Sequence, residues 1–293
     1  MNLDFETISL ERQDSYHEYF SKMPQKCSDL SFINLWGWSE AYGLQWAWDD
    51  QLIWILQTRP IKKFWPPAGG WDQIKWKPLL HELRRDAISW TRLPEKLVEC
   101  WKKQGIEEIE FEEERGNWDY LYSFSELISL KGNRFHKKKN LLNQFLKKYG
   151  FRYIPLDSAS IQHALGMQEN WCVWRDCESS EILTEENRVI EKVLLSWDKL
   201  PGILGGAILI DDKMIAYTVG ERMDETMLLI HFEKGDPEYQ GVYQAINQLF
   251  LAQQKTPYEI VNREQDLDDP GLRKAKLSYN PIDYIRKYSA MFT

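Results

Sequence analysis

The chain has 293 residues, of which 43% are hydrophobic and 28% charged, and its formal net charge is −8. That length suits two domains of ordinary size, and the composition excludes a disordered or fibrous protein. The acidic balance argues against a general nucleic-acid binder, although a local basic patch is compatible with it.

No apolar run approaches the roughly 18 residues that a membrane-spanning helix needs. The start, MNLDFETISLERQD, carries early acidic residues and lacks the apolar centre of a signal peptide. A cytoplasmic protein without stable membrane insertion is expected. Of the four cysteines (Cys27, Cys100, Cys172 and Cys177), only the last two are close, and no second Cys or His pair completes a zinc site. Reduced thiols and no metal centre are expected. Serine nucleophile elbows, P-loops and dinucleotide fingerprints are absent.

In chain order, residues 5–10 read as a strand and 14–23 as a helix that Pro24 ends. Ser28 or Asp29 can cap the next helix, whose apolar face holds Phe32, Leu35, Trp36 and Trp38. Strands over 44–48 and 52–57 flank Asp49-Asp50-Gln51, a tight hairpin. FWPPAGGW (64–71) reads as a rigid Pro/Gly loop before a helix over 74–85 with Pro78 near its start. A strand at 87–90, a helix at 94–104 and strands at 108–112 and 120–124 follow. A basic helix over 136–149 then precedes a strand at 151–155. Helices over 160–174 and 184–197 come next, the second opened by a weak capping pattern at Thr184. A second tight hairpin joins 204–210 to 214–219 through Asp211-Asp212-Lys213. The apolar run 227–232 reads as a buried strand, and 233–240 as a polar turn. Val242, Ala245, Ile246, Leu249 and Phe250 recur at helical spacing. A strand at 258–262 leads to a short basic helix stopped by Asn280-Pro281.

The two halves repeat one order of elements, and their hairpin tips at Asp49 and Asp211 occupy matching places. A mixed α/β (α+β) fold of two tandem domains is expected, over 1–130 and 131–293. Strand 227–232 should lie parallel to strand 258–262, because a helical crossover joins them.

HFEKGDPEYQGVYQAINQLF, VNREQD and GLRKAKLSY resemble the GNAT acyltransferase superfamily and, more closely, the phosphatidylglycerol lysyltransferase C-terminal-domain family. DLSFINLW and KGNRFHKKKNLLNQF extend the likeness over most of the chain. The resemblance implies tandem GNAT-like domains. It also implies transfer of an acyl or aminoacyl group to an amine or hydroxyl of a small-molecule acceptor. Acyl-coenzyme A and aminoacyl-tRNA are the donors it brings into question. The rival reading is a non-catalytic module that binds a small ligand or tRNA.

GNAT enzymes cradle the pyrophosphate of coenzyme A in a glycine-rich turn at a helix start, where small residues permit close approach. Gln240, Gly241, Val242 and Tyr243 occupy this place. Gln240 and Gly241 fit the pattern, whereas Tyr243 stands where a second glycine belongs and should crowd the pyrophosphate. The plainer reading makes Gly241 a helix-start residue and Tyr243 a packing residue. Ala275 followed four residues later by Tyr279 resembles the pair whose tyrosine protonates the leaving thiolate in GNAT enzymes. A phenol with its ordinary pKa near 10 suits that role, and its plainer reading is a core tyrosine.

The string Asn262-Arg263-Glu264-Gln265-Asp266 follows the last parallel strand, at the sheet edge where ligands collect. Glu264 is the candidate base. Arg263 can hold an acceptor carboxylate or phosphate, beside Asn262 and Asp266. Arg134, His136, Lys137 and Lys138 form a basic run suited to a polyanion, against the plainer reading of a solvated face. Eleven of the fourteen tryptophans lie between Trp36 and Trp118, and core filling is the expected use.

Overall fold

The computed structural model describes residues 3–84 and 88–293. Its strands are β1 (Glu6–Thr7), β2 (Gln45–Trp48), β3 (Leu52–Gln57), β4 (Lys63–Gly69), β5 (Ser89–Pro94), β6 (Ile109–Glu113) and β7 (Asp119–Ser123). They continue with β8 (Arg152–Pro155), β9 (Ile203–Ile210), β10 (Lys213–Arg222), β11 (Met227–Gly235), β12 (Ile260–Asn262), β13 (Asp283–Ile285) and β14 (Lys287–Phe292). The helices are α1 (Gln13–Ser21), α2 (Phe32–Gly37), α3 (Ser39–Tyr42), α4 (Trp76–Leu83), α5 (Glu95–Lys103) and α6 (Phe124–Ser129). After them come α7 (His136–Lys148), α8 (Ile161–Arg175), α9 (Glu181–Leu195), α10 (Val242–Ala252) and α11 (Pro270–Leu277).

Aspartates shape both central hairpins. Asp49 accepts hydrogen bonds from the backbone of Gln51 and Leu52, both at 2.7 Å, and so closes the β2–β3 turn. Between β9 and β10, Asp211 and Asp212 adopt φ of 49° and 60°, the left-handed pair that a two-residue hairpin demands.

The strands form two seven-stranded sheets. The first runs β1-β2-β3-β4-β5-β14-β6; the second, from its far edge, runs β8-β9-β10-β11-β12-β7-β13. In both, four antiparallel strands are followed by a parallel neighbour, Lys63 opposite Ser89 in one and Met227 opposite Ile260 in the other. An antiparallel strand from elsewhere in the chain comes next. The shared order makes a mixed α+β fold of two like sheets, and the β11–β12 pairing is parallel as its crossover predicts.

The chain divides into two compact units, residues 1–119 with 265–273 and 284–293, and residues 120–264 with 274–283. This differs from a single cut at 130/131 for a definite reason. β7 pairs with β12 in the second sheet, and β14 is inserted between β5 and β6 in the first. Sequence periodicity did not reveal β13 or β14.

Three further expectations change. FWPPAGGW is not a loop, because Lys63–Gly69 is a strand inside the first sheet. Its pairing with β3 shifts register between Ile53 and Ile55, and its pairing with β5 covers Lys63 and Phe64, ahead of Pro66 and Pro67. The missing proline N–H groups therefore fall where the ladder is already interrupted. Cys172 and Cys177 form a disulfide instead of remaining thiols. A left-handed Asp176 turns the chain after α8 and brings the two sulfurs together. Helix α9 begins before Thr184, with the Ser180 side chain accepting from the Leu183 amide. Of the expected element ends, Arg85 and Ala87 lie outside the described residues.

The tryptophans fill the first core. Trp46, Trp54, Trp71, Trp76, Trp90 and Trp101 are fully buried, and Trp90 meets Trp101 edge to face at 5.2 Å.

Candidate active site

In the second unit, β10 pairs with β11 up to Val219 opposite Phe232 and resumes at Gly220 opposite Ile230. His231 is the extra residue of this bulge. Gly220 permits the approach, since a Cβ there would lie 2.6 Å from the Leu229 carbonyl oxygen.

The His231 side chain is fully buried between two carboxylates. Nδ1 lies 3.0 Å from Glu264 Oε1 and Nε2 lies 3.1 Å from Glu221 Oε2. Acceptors on both ring nitrogens require both N–H groups, so the ring is an imidazolium. Burial opposes that charge, but the hydrogen bonds to Glu221 and Glu264 prevail and push the pKa up to about 9. Glu264 adopts a left-handed φ of 56°, and its N–H donates to Asn262 Oδ1 at 2.8 Å. The buried Asn262 thus holds the turn that delivers Glu264 to His231.

Beyond the short strand β12, Arg263 donates from Nη2 to Glu233 Oε1 at 2.8 Å. Asn247 on α10 donates to the other oxygen of Glu233 at 2.9 Å. The Arg263 guanidinium stands 4.8 Å from the centre of the Tyr279 ring. The Lys138 ammonium stands 4.1 Å from the same ring. Gln244 donates to the Tyr279 hydroxyl at 3.1 Å. Tyr279 is 6% exposed, and burial raises its pKa despite the opposing guanidinium of Arg263. Burial, assisted by repulsion from Arg263 and resisted by Glu233, brings Lys138 down to about 8.

Of the residues expected from sequence, Arg263, Tyr279 and Lys138 therefore meet. Glu264 is nearby in sequence, and its side chain holds the His231 ring. Asp266 belongs to the first unit, where Arg273 grips it through Nε at 2.7 Å and Nη2 at 2.8 Å. Its place is a buried structural knot, because the chain leaves the second unit after Glu264. In the turn before α7, Arg134 pairs with Glu126, while His136 and Lys137 in the first turn of α7 face solvent.

At the start of α10, Gly241 has φ 88°, and a Cβ there would fall 2.3 Å from the Leu141 carbonyl oxygen. The close neighbour of this glycine is α7. Val242 is buried in the core with Leu142 and Phe145. The Tyr243 hydroxyl donates to the Gly235 carbonyl and accepts from Trp171 Nε1, both at 3.1 Å. Gln240 is exposed.

Sequence reasoning missed His231, Glu221, Glu233, Asn247 and Gln244. A histidine and a glutamate two apart in a buried strand were the available signal for His231 and Glu233. Their partners depend on a bulge and a register that one sequence does not encode legibly.

The model of the family described as phosphatidylglycerol lysyltransferase, C-terminal, matches residues 20–291. The fold is similar to a crystal structure of a conserved protein of unknown function from Bacteroides thetaiotaomicron, with TM-score 0.92, 30% identity and 100% of both chains covered. It is also similar to L-PGS from Bacillus licheniformis, with TM-score 0.65, 10% identity, and 95% of this chain and 91% of that one covered. An uncharacterized protein of Mycoplasmoides gallisepticum is 23% identical over 183 residues, 58% of this chain. The alignment spans about half of that relative's length, 54%. No helix among the described residues is long and apolar enough to cross a membrane. With nearly the whole chain matched by one family model, this protein belongs to the phosphatidylglycerol lysyltransferase C-terminal family.

Proposed function

We propose that the protein transfers an aminoacyl group from aminoacyl-tRNA to an amine or hydroxyl of a small-molecule acceptor, at the Arg263–Tyr279 cluster of the second unit. The family description, a lysyltransferase, supports the class of reaction. The observation that carries the choice of donor is the start of α10. Coenzyme A needs bare backbone there for its pyrophosphate, and here Gly241 packs on Leu141 while Tyr243 is bonded to Trp171 and Gly235. An aminoacyl ester makes no such demand.

In this reading the acceptor attacks the ester carbonyl, and the bond from that carbon to the ribose oxygen breaks. The ribose oxygen leaves with the Tyr279 proton, and the acceptor's own proton returns to the phenolate. Tyr279 suits the donor role. Its oxygen accepts from Gln244, which leaves its own O–H to donate, and its raised pKa keeps that proton in place. Arg263, braced by Glu233, supplies fixed positive charge beside it. Glu264 holds His231 and thereby the bulge. The exposed His136 and Lys137, with Arg134, supply a docking face for the tRNA backbone.

The test is acceptor-dependent loss of the aminoacyl group from a mixed aminoacyl-tRNA pool. Tyr279→Phe should slow transfer roughly a hundred- to ten-thousand-fold at unchanged melting temperature. Calorimetry should find no tight binding of acetyl-coenzyme A. Efficient acetyl transfer by the wild-type protein would overturn the reading. The burial of Tyr279 favours a second reading, a ligand-binding module without turnover. Aminoacyl-tRNA that binds and stays charged with every acceptor would select it.

A further inference from the structure

The acidic groups of the site are Glu221, Glu233 and Glu264, and each is committed elsewhere. Glu221 and Glu264 hold the two nitrogens of His231. The two oxygens of Glu233 are taken by Arg263 and Asn247. Three cations face them: His231, Arg263 and Lys138. The first two have carboxylate partners. Lys138 has none within ion-pair distance among the described residues, and its ammonium rests on the Tyr279 ring. It is also the half-buried member of a run whose neighbours Lys137 and Lys139 face solvent. A half-buried ammonium loses hydration and gains only a cation–π contact in return, worth ~0.5–2 kcal/mol. An anion arriving beside the Tyr279 ring would complete its coordination, with Arg263 on the same ring adding attraction.

We propose that Lys138 is a phosphate-binding residue that anchors the last phosphodiester of the donor next to Tyr279. This rests on the aminoacyl-tRNA reading above. A lysine serves better than an arginine for this task, because a point charge accepts any phosphate oxygen without a bidentate match. The bound phosphate would set the terminal ribose against the tyrosine hydroxyl, which makes Lys138 a positioning residue.

The groups that govern its charge are Arg263 and Glu233, together with the Tyr279 phenol. Without an anion, burial and repulsion from Arg263, resisted by Glu233, leave its pKa at about 8. A bound phosphate should raise it by about one unit or more, because an opposite charge at contact favours the ammonium.

The experiment uses full-length protein with dimethylated, 13C-labelled lysines and inorganic phosphate as the probe, titrated against chloride at constant ionic strength. The Lys138 signal is assigned by its loss in Lys138→Arg. It should shift saturably and move its titration midpoint upward, while Lys137 and Lys139 respond little. A Lys138 signal that responds no more than its two neighbours overturns the proposal. Steady-state transfer supplies the second arm. Lys138→Gln should raise KM for aminoacyl-tRNA about tenfold and lower kcat as the terminal ribose loses its register with Tyr279, and Lys138→Arg should restore most of both. An unchanged KM also overturns the proposal. Phosphate binding at Lys138 in a protein that transfers nothing would instead sink the aminoacyl-transfer reading and leave the anion site standing.

Discussion

His231 gives the clearest residue-level prediction, since its two carboxylate partners fix its charge. Its folded-state pKa of about 9 lies above the ordinary 6.5. The stabilisation is therefore complete below pH 6.5 and is lost as pH rises through 9. The shift corresponds to about 3 kcal/mol at most. Lys138 acts in the opposite sense, because its value is depressed from 10.5 to about 8, so its own contribution improves as pH rises between those values. Urea unfolding from pH 6 to 9.5 should show stability falling for the wild type relative to His231→Gln. Parallel curves for the two proteins would mean that the ring is neutral when folded. Residue types alone suggested a base at Glu264 and an acid at Tyr279. They could not show that Glu264 is held by a buried imidazolium, since that depends on a one-residue bulge. Arg263, Tyr279 and Lys138 were legible because each lies in a distinctive string of polar or basic residues.

At the scale of elements, α7 and α10 explain each other. Gly241 begins α10 with a left-handed backbone, and its missing Cβ admits the Leu141 carbonyl of α7. Gly241→Ala should cost about 2–3 kcal/mol, from backbone strain and a forced separation of the helices. Gly166 in α8 has open space around it, so Gly166→Ala should be neutral or stabilising by up to about 1 kcal/mol. Equal denaturation midpoints for the two variants would refute the packing account. The glycine itself was visible in the sequence, and its reason was not: a helix start that admits a phosphate and one that admits a neighbouring helix demand the same residue. Hairpins and amphipathic helices were legible because Asp turns and apolar periodicity are local signals. β4 was not, because its prolines and glycines read as a loop until the register shift that accommodates them is seen.

For the molecule as a whole, the decisive feature is the return of the chain to its first unit. β14 fills the place between β5 and β6, and its Lys287 is fully buried against Asp29 and Asp119. Asp29 is shared with Arg92, and Asp119 also accepts from the Ser28 amide at 2.8 Å and its hydroxyl at 2.7 Å. The Gln265 side chain donates to Ser28 Oγ at 2.8 Å and to Asp29 Oδ1 at 3.1 Å. The network therefore joins residues from the start, the middle and the end of the chain, all within one unit. Short strands at the end of a sequence carry weak periodicity, which is why this closure was not legible beforehand. Lys287→Met should cost about 3–5 kcal/mol, because two buried aspartates would be left with one fewer cation. Deleting residues 287–293 should do more, since it also opens the ladder between β5 and β6. Limited proteolysis of the truncated chain should cut first within residues 3–119. The second unit keeps all of its own segments in that variant and should persist as the resistant fragment. A truncated chain as resistant as the wild type across residues 3–119 would show that the first unit closes without its last strand.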